Sequence, residues 1–168
     1  TLLGRHPDVV EKMRAEVQRV LGDRVPTMED CGNLVYMRQV IDEILRLRSP
    51  VWTVARDAVA EDELGGYRVR PGDVVMPMTY LSHRHPEFWP DPERFDPERF
   101  SVENSRGRPR GAYYPFSIGP RICIGKEFSL VETAVVLAML LQRADFSLQS
   151  LDAVPMNPNV TLRPDAPV

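Results

Sequence analysis

Phe116-Ser117-Ile118-Gly119-Pro120-Arg121-Ile122-Cys123-Ile124-Gly125 is the most informative stretch of this chain, because each unusual residue in it has a separate chemical use. Cys123 stands just ahead of an apolar run that reads as a long helix, where unpaired amide donors and the positive end of the helix dipole favour a thiolate. A thiolate there can bind iron. Gly119 and Gly125 carry no Cβ, so the backbone on either side of the sulfur can lie against a flat group or take a positive φ. Arg121 precedes the sulfur closely enough to grip a carboxylate beside it, and Phe116 can pack against the sulfur and limit solvent.

Taken alone, Cys123 also admits plainer readings. It can be a small buried hydrophobe in a glycine turn. It can pair with Cys31, which a reducing compartment disfavours. It can join His83 and His85 on zinc or copper, a set that lacks a fourth ligand; both histidines read more simply as loop residues. The spacing of fixed residues around the sulfur weighs against all three.

Downstream, a long helix is expected over about 126–143, mostly apolar all round through 131–141 and therefore deeply buried. Upstream, positions 86–115 carry six prolines and several aromatics, which suits an ordered, packed loop rather than regular structure. Earlier still, Val51-Trp52-Thr53-Val54 is rich in β-formers, and 67–70 with 74–78 flank the turn Pro71-Gly72, predicting a small sheet. A helix from near Asn33 to Ser49-Pro50 places Leu34, Met37, Ile41, Ile44 and Leu45 on its apolar stripe and Arg38, Glu43 and Arg46 on its polar face. Another, over about 7–21, starts at Pro7 and stops at Gly22. Near the end, 146–148 and 160–162 are expected to pair as a hairpin. The order of elements is α+β, with helix dominating.

Composition bounds the rest. The 168 residues are 43% hydrophobic and 27% charged, which marks a folded chain of one domain. A net charge of -3 offers no global attraction to nucleic acid or an anionic membrane. The longest apolar run, Ala134 through Leu141, falls far short of the roughly 18 residues that span a bilayer, so no membrane segment is expected. With two cysteines and no secretory leader in view, a cytoplasmic location is the expectation. The first residue is Thr1, which suggests a truncated chain.

On these residues the sequence resembles the cytochrome P-450 superfamily, the haem-thiolate monooxygenases. The stretch around Cys123 matches that family's Phe-x-x-Gly-x-Arg-x-Cys-x-Gly signature at every fixed position. Glu43-Ile44-Leu45-Arg46 resembles its Glu-x-x-Arg helix, and Phe95-Asp96-Pro97-Glu98-Arg99-Phe100 its Pro-x-Arg loop. Glu43 and Arg46 share a helix face at i,i+3, and an arginine from the loop can complete a buried Arg-carboxylate-Arg group. The plain alternative is a surface ion pair worth about 0.5 kcal/mol or less. Since Asp-Pro-Glu-Arg-Phe occurs twice, at 91–95 and 96–100, both Arg94 and Arg99 are candidates. Phe95, preceding the second copy, favours Arg99.

The resemblance implies a mainly α, α+β fold in which residues 1–168 form the C-terminal part of a single P-450 domain. It implies haem, with Cys123 as iron ligand and catalytic residue, and Phe116, Gly119, Arg121 and Gly125 around it. Arg56 and Arg121 are the expected partners of the haem propionates. Glu43, Arg46 and Arg99 are expected in a structural role. Positions 51–54 and 158–160 look like substrate-lining segments. Arg106, Arg108, Arg110 and Lys126 are candidates for attracting an acidic electron donor of ferredoxin or flavodoxin type. The implied reaction inserts one atom of O2 into a small apolar organic substrate. The family's oxygen-activating helix has no counterpart here, and Glu132-Thr133 lies on the helix after Cys123, on the wrong side of the iron. Activity is therefore expected of a longer parent resembling bacterial soluble members, with this segment inactive by itself. Two alternatives stay open: a haem-thiolate peroxygenase or isomerase, and a non-catalytic truncated module.

Overall fold

The computed structural model describes residues 1–145, 148 and 154–165. Helices α1 (Pro7–Leu21), α2 (Val35–Leu47) and α4 (Lys126–Arg143) enclose the main core, and a short α3 (Thr79–Ser82) opens the proline-rich region. α1 starts on Pro7, whose missing N–H costs nothing at a first helical position, and ends at Gly22, φ +58°, whose amide bonds back to the Gln18 carbonyl at 3.0 Å. Val9, Met13, Val17 and Leu21 recur every four residues and are buried against Met37, Val40 and Ile41 of α2 and Leu130, Ala134, Ala138 and Leu141 of α4.

Helix α2 has no capping side chain of its own. Instead the buried carboxylate of Glu16, on α1, accepts the amides of Tyr36 and Met37 at 2.8 Å each, satisfying two orphan donors of the first turn. Two residues earlier on α1, Arg14 donates to the carbonyls of Leu141 and Ala144, closing the C-terminus of α4.

α4 has the predicted bounds but not the predicted burial. Leu130, Ala134, Ala138 and Leu141 face the core, whereas Phe128, Val136 and Leu140 are exposed, since among the described residues only one side of the helix has α1 and α2 to pack against. On α2 the difference runs the other way. Glu43 and Arg46, placed by periodicity on the polar face, have no solvent exposure at all, because the proline-rich region folds over them.

The sheet expectation is corrected in its pairing. Arg70 to Asp73 does form a turn around Pro71-Gly72, with Gly72 at φ +88° and the Asp73 amide on the Arg70 carbonyl at 3.0 Å. The strands on either side of it, however, find other partners. β3 (Tyr67–Val69) pairs back with β2 (Asp62–Leu64) through Gly65-Gly66, both at positive φ, as a two-residue hairpin turn requires. β4 (Val74–Val75) pairs with β1 (Arg56–Asp57). Residues 51–54 are not a strand, although the Val54 amide reaches the Pro77 carbonyl at 3.2 Å. Near the end, Leu162 pairs with Pro158 in the ladder of β5 (Met156–Pro158) with β6 (Leu162–Pro164); positions 146 and 147 of the expected hairpin lie outside the described residues. The architecture is α+β and mainly α.

The proline-rich stretch is packed, as expected of it. Trp89, Phe95, Pro97 and Ala112 are buried in it, and 3-10 turns form at Pro97–Phe100 and Arg110–Ala112.

Candidate functional site

The loop around Cys123 is held by backbone hydrogen bonds. Ser117, at φ +64°, turns the chain, with its amide on the Tyr114 carbonyl at 3.0 Å. Gly119, at φ +76°, begins a 3-10 turn through Arg121, and the Cys123 amide returns to the Phe116 carbonyl at 2.9 Å. Phe116 and Cys123 are thereby locked side by side. Gly125 precedes the first residue of α4, and a Cβ built on it would lie 3.9 Å from Cys123 Sγ, in ordinary van der Waals contact. The glycine keeps that flank of the sulfur open.

Cys123 is an exposed free thiol at the wall of a cavity of about 420 Å³, which Phe116, Arg121 and Gly125 also line. Val51, Val54 and Arg56 come to the same cavity from the segment after α2. The structure thus brings together Cys123, Phe116, Arg121, Gly125 and Arg56; Gly119 lies back in the turn that presents the sulfur. Among the described residues nothing pairs with the Arg121 guanidinium, whereas Arg56 spends one donor on the Ala55 carbonyl at 2.7 Å. A soft sulfur donor facing apolar walls, with two cations at the rim, suits a flat apolar group that carries a metal and acidic substituents.

Behind this loop lies a buried charge cluster. Arg46 grips both oxygens of Glu43, Nε to Oε2 at 2.7 Å and Nη2 to Oε1 at 2.9 Å. Its remaining donors reach the carbonyls of His83 at 2.8 Å, Pro92 at 2.7 Å and Arg94 at 3.2 Å. Glu43 Oε1 also accepts the Asp96 amide at 2.9 Å and lies 3.7 Å from Arg99 Nε. Between the two repeat copies, the side chain near Glu43 is that of Arg99; Arg94 contributes its carbonyl there and points its exposed guanidinium at Asp96, 3.7 Å away. The cluster draws carbonyls and an amide from residues 83–96 onto α2. It therefore fixes the path of the proline-rich segment rather than decorating a surface.

The remaining candidates fare unevenly. Arg108 lies 4.2 Å from the Trp89 ring centroid and donates to the Arg99 carbonyl, so its charge is committed inside the fold, where burial lowers its pKa. Arg106 and Arg110 are exposed, and Lys126 pairs with Glu127 at 3.4 Å. Val51 and Val54 line the cavity, and Trp52 Nε1 donates to the Asn159 carbonyl at 2.8 Å, whereas Val160 is exposed. Thr133 bonds back to the Ser129 carbonyl at 2.7 Å within α4.

His83 does lie in a turn, as read, but it is no solvated loop residue. It is fully buried at the end of α3, and its Nε2 accepts the Tyr114 amide at 2.9 Å. No metal-holding group of three or more His, Cys, Asp or Glu side chains occurs among the described residues, and Cys31 and Cys123 are both unpaired. Tyr113, next in sequence to Tyr114, donates to the Asp42 carboxylate at 2.9 Å. Burial raises the pKa of both Asp42 and Tyr113. Sequence reasoning missed Glu16, His83 and the Asp42–Tyr113 pair, because each acts on a partner at least 20 residues away, and no local spacing signals such a contact.

A family model described as Cytochrome P450 matches residues 1–167. Cyclooctat-9-en-7-ol 5-monooxygenase of Streptomyces melanosporofaciens is 44% identical over 142 residues, covering 84% of this chain and 31% of that protein. Cytochrome P450 4V2 of Mus musculus is 44% identical over 144 residues, covering 84% of this chain and 27% of its own length. Among solved structures, the heme domain of cytochrome P450DA superimposes with a TM-score of 0.90 at 36% identity, over 97% of this chain and 37% of that one. The chain thus spans about a third of the length of the relatives it matches. Since the family match and the superposition both run across nearly all of it, the chain belongs to the cytochrome P450 family.

Proposed function

We propose that the whole protein to which these residues belong is a haem-dependent monooxygenase, and that this chain supplies the cysteine-bearing side of its haem site as part of a single domain. The observation that carries the proposal is Cys123 at the wall of an apolar cavity shared with Arg56 and Arg121. A thiol donor, apolar walls and two cations for acidic substituents fit an iron porphyrin. The monooxygenase name of the Streptomyces relative supports the same reaction class. When bound, haem supplies the iron at which dioxygen is reduced and one oxygen atom is passed to the substrate.

Each residue then has a task of its own. Cys123 donates its thiolate to the metal, held at fixed depth by the bond from its amide to Phe116. Arg121 and Arg56 pair with the propionates and orient the group. Phe116 limits water beside the sulfur, while Gly119 and Gly125 let the backbone turn and approach. Glu43, Arg46 and Arg99 hold the proline-rich segment in place behind the loop. Val51 and Val54 present apolar surface to a small organic substrate. Electrons come from a ferredoxin- or flavodoxin-type donor, for which exposed Arg106 and Arg110 are the remaining basic candidates. Two free cysteines suit a reducing cytoplasm, and no described helix is long and apolar enough to cross a membrane. Activity is proposed for the whole protein, not for the 168-residue stretch by itself.

The test is spectroscopic. The full-length protein, reduced and treated with carbon monoxide, is expected to give the Soret position of a thiolate-ligated haem, and Cys123→Ser to lose it. A thiolate-type band that survives Cys123→Ser refutes the assignment.

A further inference from the structure

His83 touches both halves of the site behind the cavity. Its main-chain carbonyl accepts Arg46 Nη1 at 2.8 Å, and its imidazole Nε2 accepts the Tyr114 amide at 2.9 Å. Tyr114 leads through Pro115 to Phe116, whose carbonyl takes the Cys123 amide at 2.9 Å. A single residue therefore ties the Glu43–Arg46 cluster to the segment that leads into the cysteine loop. Its ring packs against both Tyr113 and Tyr114, with centroids 5.1 and 5.4 Å away. A second tie, Ser82 Oγ to Tyr114 Oη at 2.7 Å, runs from the same helical turn.

We propose that His83 is a positioning residue for the cysteine loop: as a buried acceptor for the Tyr114 amide it sets the depth at which Phe116 and Cys123 face the cavity. Filling space is not enough for this task. The Tyr114 amide points at a side chain with no solvent exposure, and there a ring without a lone pair offers it no acceptor. Burial lowers the His83 pKa to about 4, so the imidazole stays neutral across the physiological range and Nε2 keeps its lone pair. The tautomer follows from the hydrogen bond: with Nε2 accepting, the proton is on Nδ1, which makes no hydrogen bond among the described residues. The inference rests on the reading of Cys123 as the haem ligand.

The experiment uses the full-length haem-loaded protein, reduced and bound to carbon monoxide. It follows the rate at which the thiolate-type Soret band converts to the neutral-thiol type. His83→Phe keeps a ring but removes the acceptor, His83→Gln restores an acceptor oxygen, and Met13→Ala in the α1 core serves as a control that lowers stability away from the loop. His83→Phe is expected to convert about tenfold faster than the wild type, His83→Gln to recover most of that loss, and Met13→Ala to melt earlier with little change in rate. Conversion of His83→Phe at the wild-type rate overturns the inference, and so does Met13→Ala converting as fast as His83→Phe. Should His83→Phe not accumulate, amide exchange in the wild type decides: protection of the Tyr114 amide supports the tie, and free exchange removes it. A wild type that lacks the thiolate band, or a Cys123→Ser that keeps it, instead sinks the ligand reading on which the inference stands.

Discussion

Replacing Arg46 with methionine is the most direct probe of how the proline-rich segment is held. The substitution keeps the volume of the stem but removes five hydrogen bonds, two to the Glu43 carboxylate and one each to the carbonyls of His83, Pro92 and Arg94. An uncompensated buried carboxylate costs about 3–5 kcal/mol. Glu43 retains the Asp96 amide at 2.9 Å and Arg99 at 3.7 Å, which places its penalty at the low end. The three stranded carbonyls add about 1 kcal/mol or less each, since some of them relax toward water. The expected loss is about 5 kcal/mol, comparable with the whole stability of a small domain. Arg46→Lys keeps the charge but offers three donors from one point instead of a planar fork, and should lose about half as much. Urea unfolding of the full-length protein measures both, and Trp89, whose ring lies 5.0 Å from the Arg46 guanidinium carbon, makes intrinsic fluorescence a suitable local signal. Pairing Arg46→Met with Glu43→Leu should cost less than the sum of the singles, because the double variant leaves no buried carboxylate stranded, although Arg99 loses its partner. An Arg46→Met loss below about 1 kcal/mol at unchanged denaturant slope would refute the reasoning, since that is the scale of a solvated surface pair.

Substitutions at two further positions test other parts of the chain. The Arg24 guanidinium, with help from the Thr27 amide and hydroxyl, holds the Asp30 carboxyl well below the usual carboxylate range. A carboxyl depressed in the folded state contributes stability above its ordinary pKa of about 4 and loses it as pH falls through the folded value, so wild type and Asp30→Asn should differ at pH 7 and converge in acid; thermal melts with a constant gap at every pH would contradict this. Gly119→Ala meets no neighbour within 4 Å, so its cost is backbone strain at φ +76°, about 1–2 kcal/mol, and Gly119→Asn should cost less. An alanine variant that melts with the wild type would show that the loop does not need the left-handed conformation.

The bounds of α1, α2 and α4 were legible in the sequence because a helix declares itself locally: α1 and α2 through a 3.6-residue apolar period, with Pro7 and Gly22 bounding the first and Ser49-Pro50 following the second, and α4 as a long apolar run after Gly125. The cysteine loop was legible for a related reason: Gly119, Arg121, Cys123 and Gly125 lie within a few residues of one another, so their spacing survives in one dimension. Strand pairing was not, since the short runs at 67–69 and 74–75 are compatible with several partners, and the choice fell to Gly65-Gly66 and to the approach of Arg56–Asp57. Phe95 already favoured Arg99 over Arg94, and the family resemblance a buried Glu43–Arg46 group; the tertiary structure alone decided which backbone groups fill that cluster and that His83 bonds to Tyr114. A helical wheel assigns charged residues to water by default, and only acceptors delivered from residues 83–94 reverse that assignment. Periodicity reports which side of a helix is apolar; whether its polar side meets solvent or another part of the chain depends on contacts that only folding brings together.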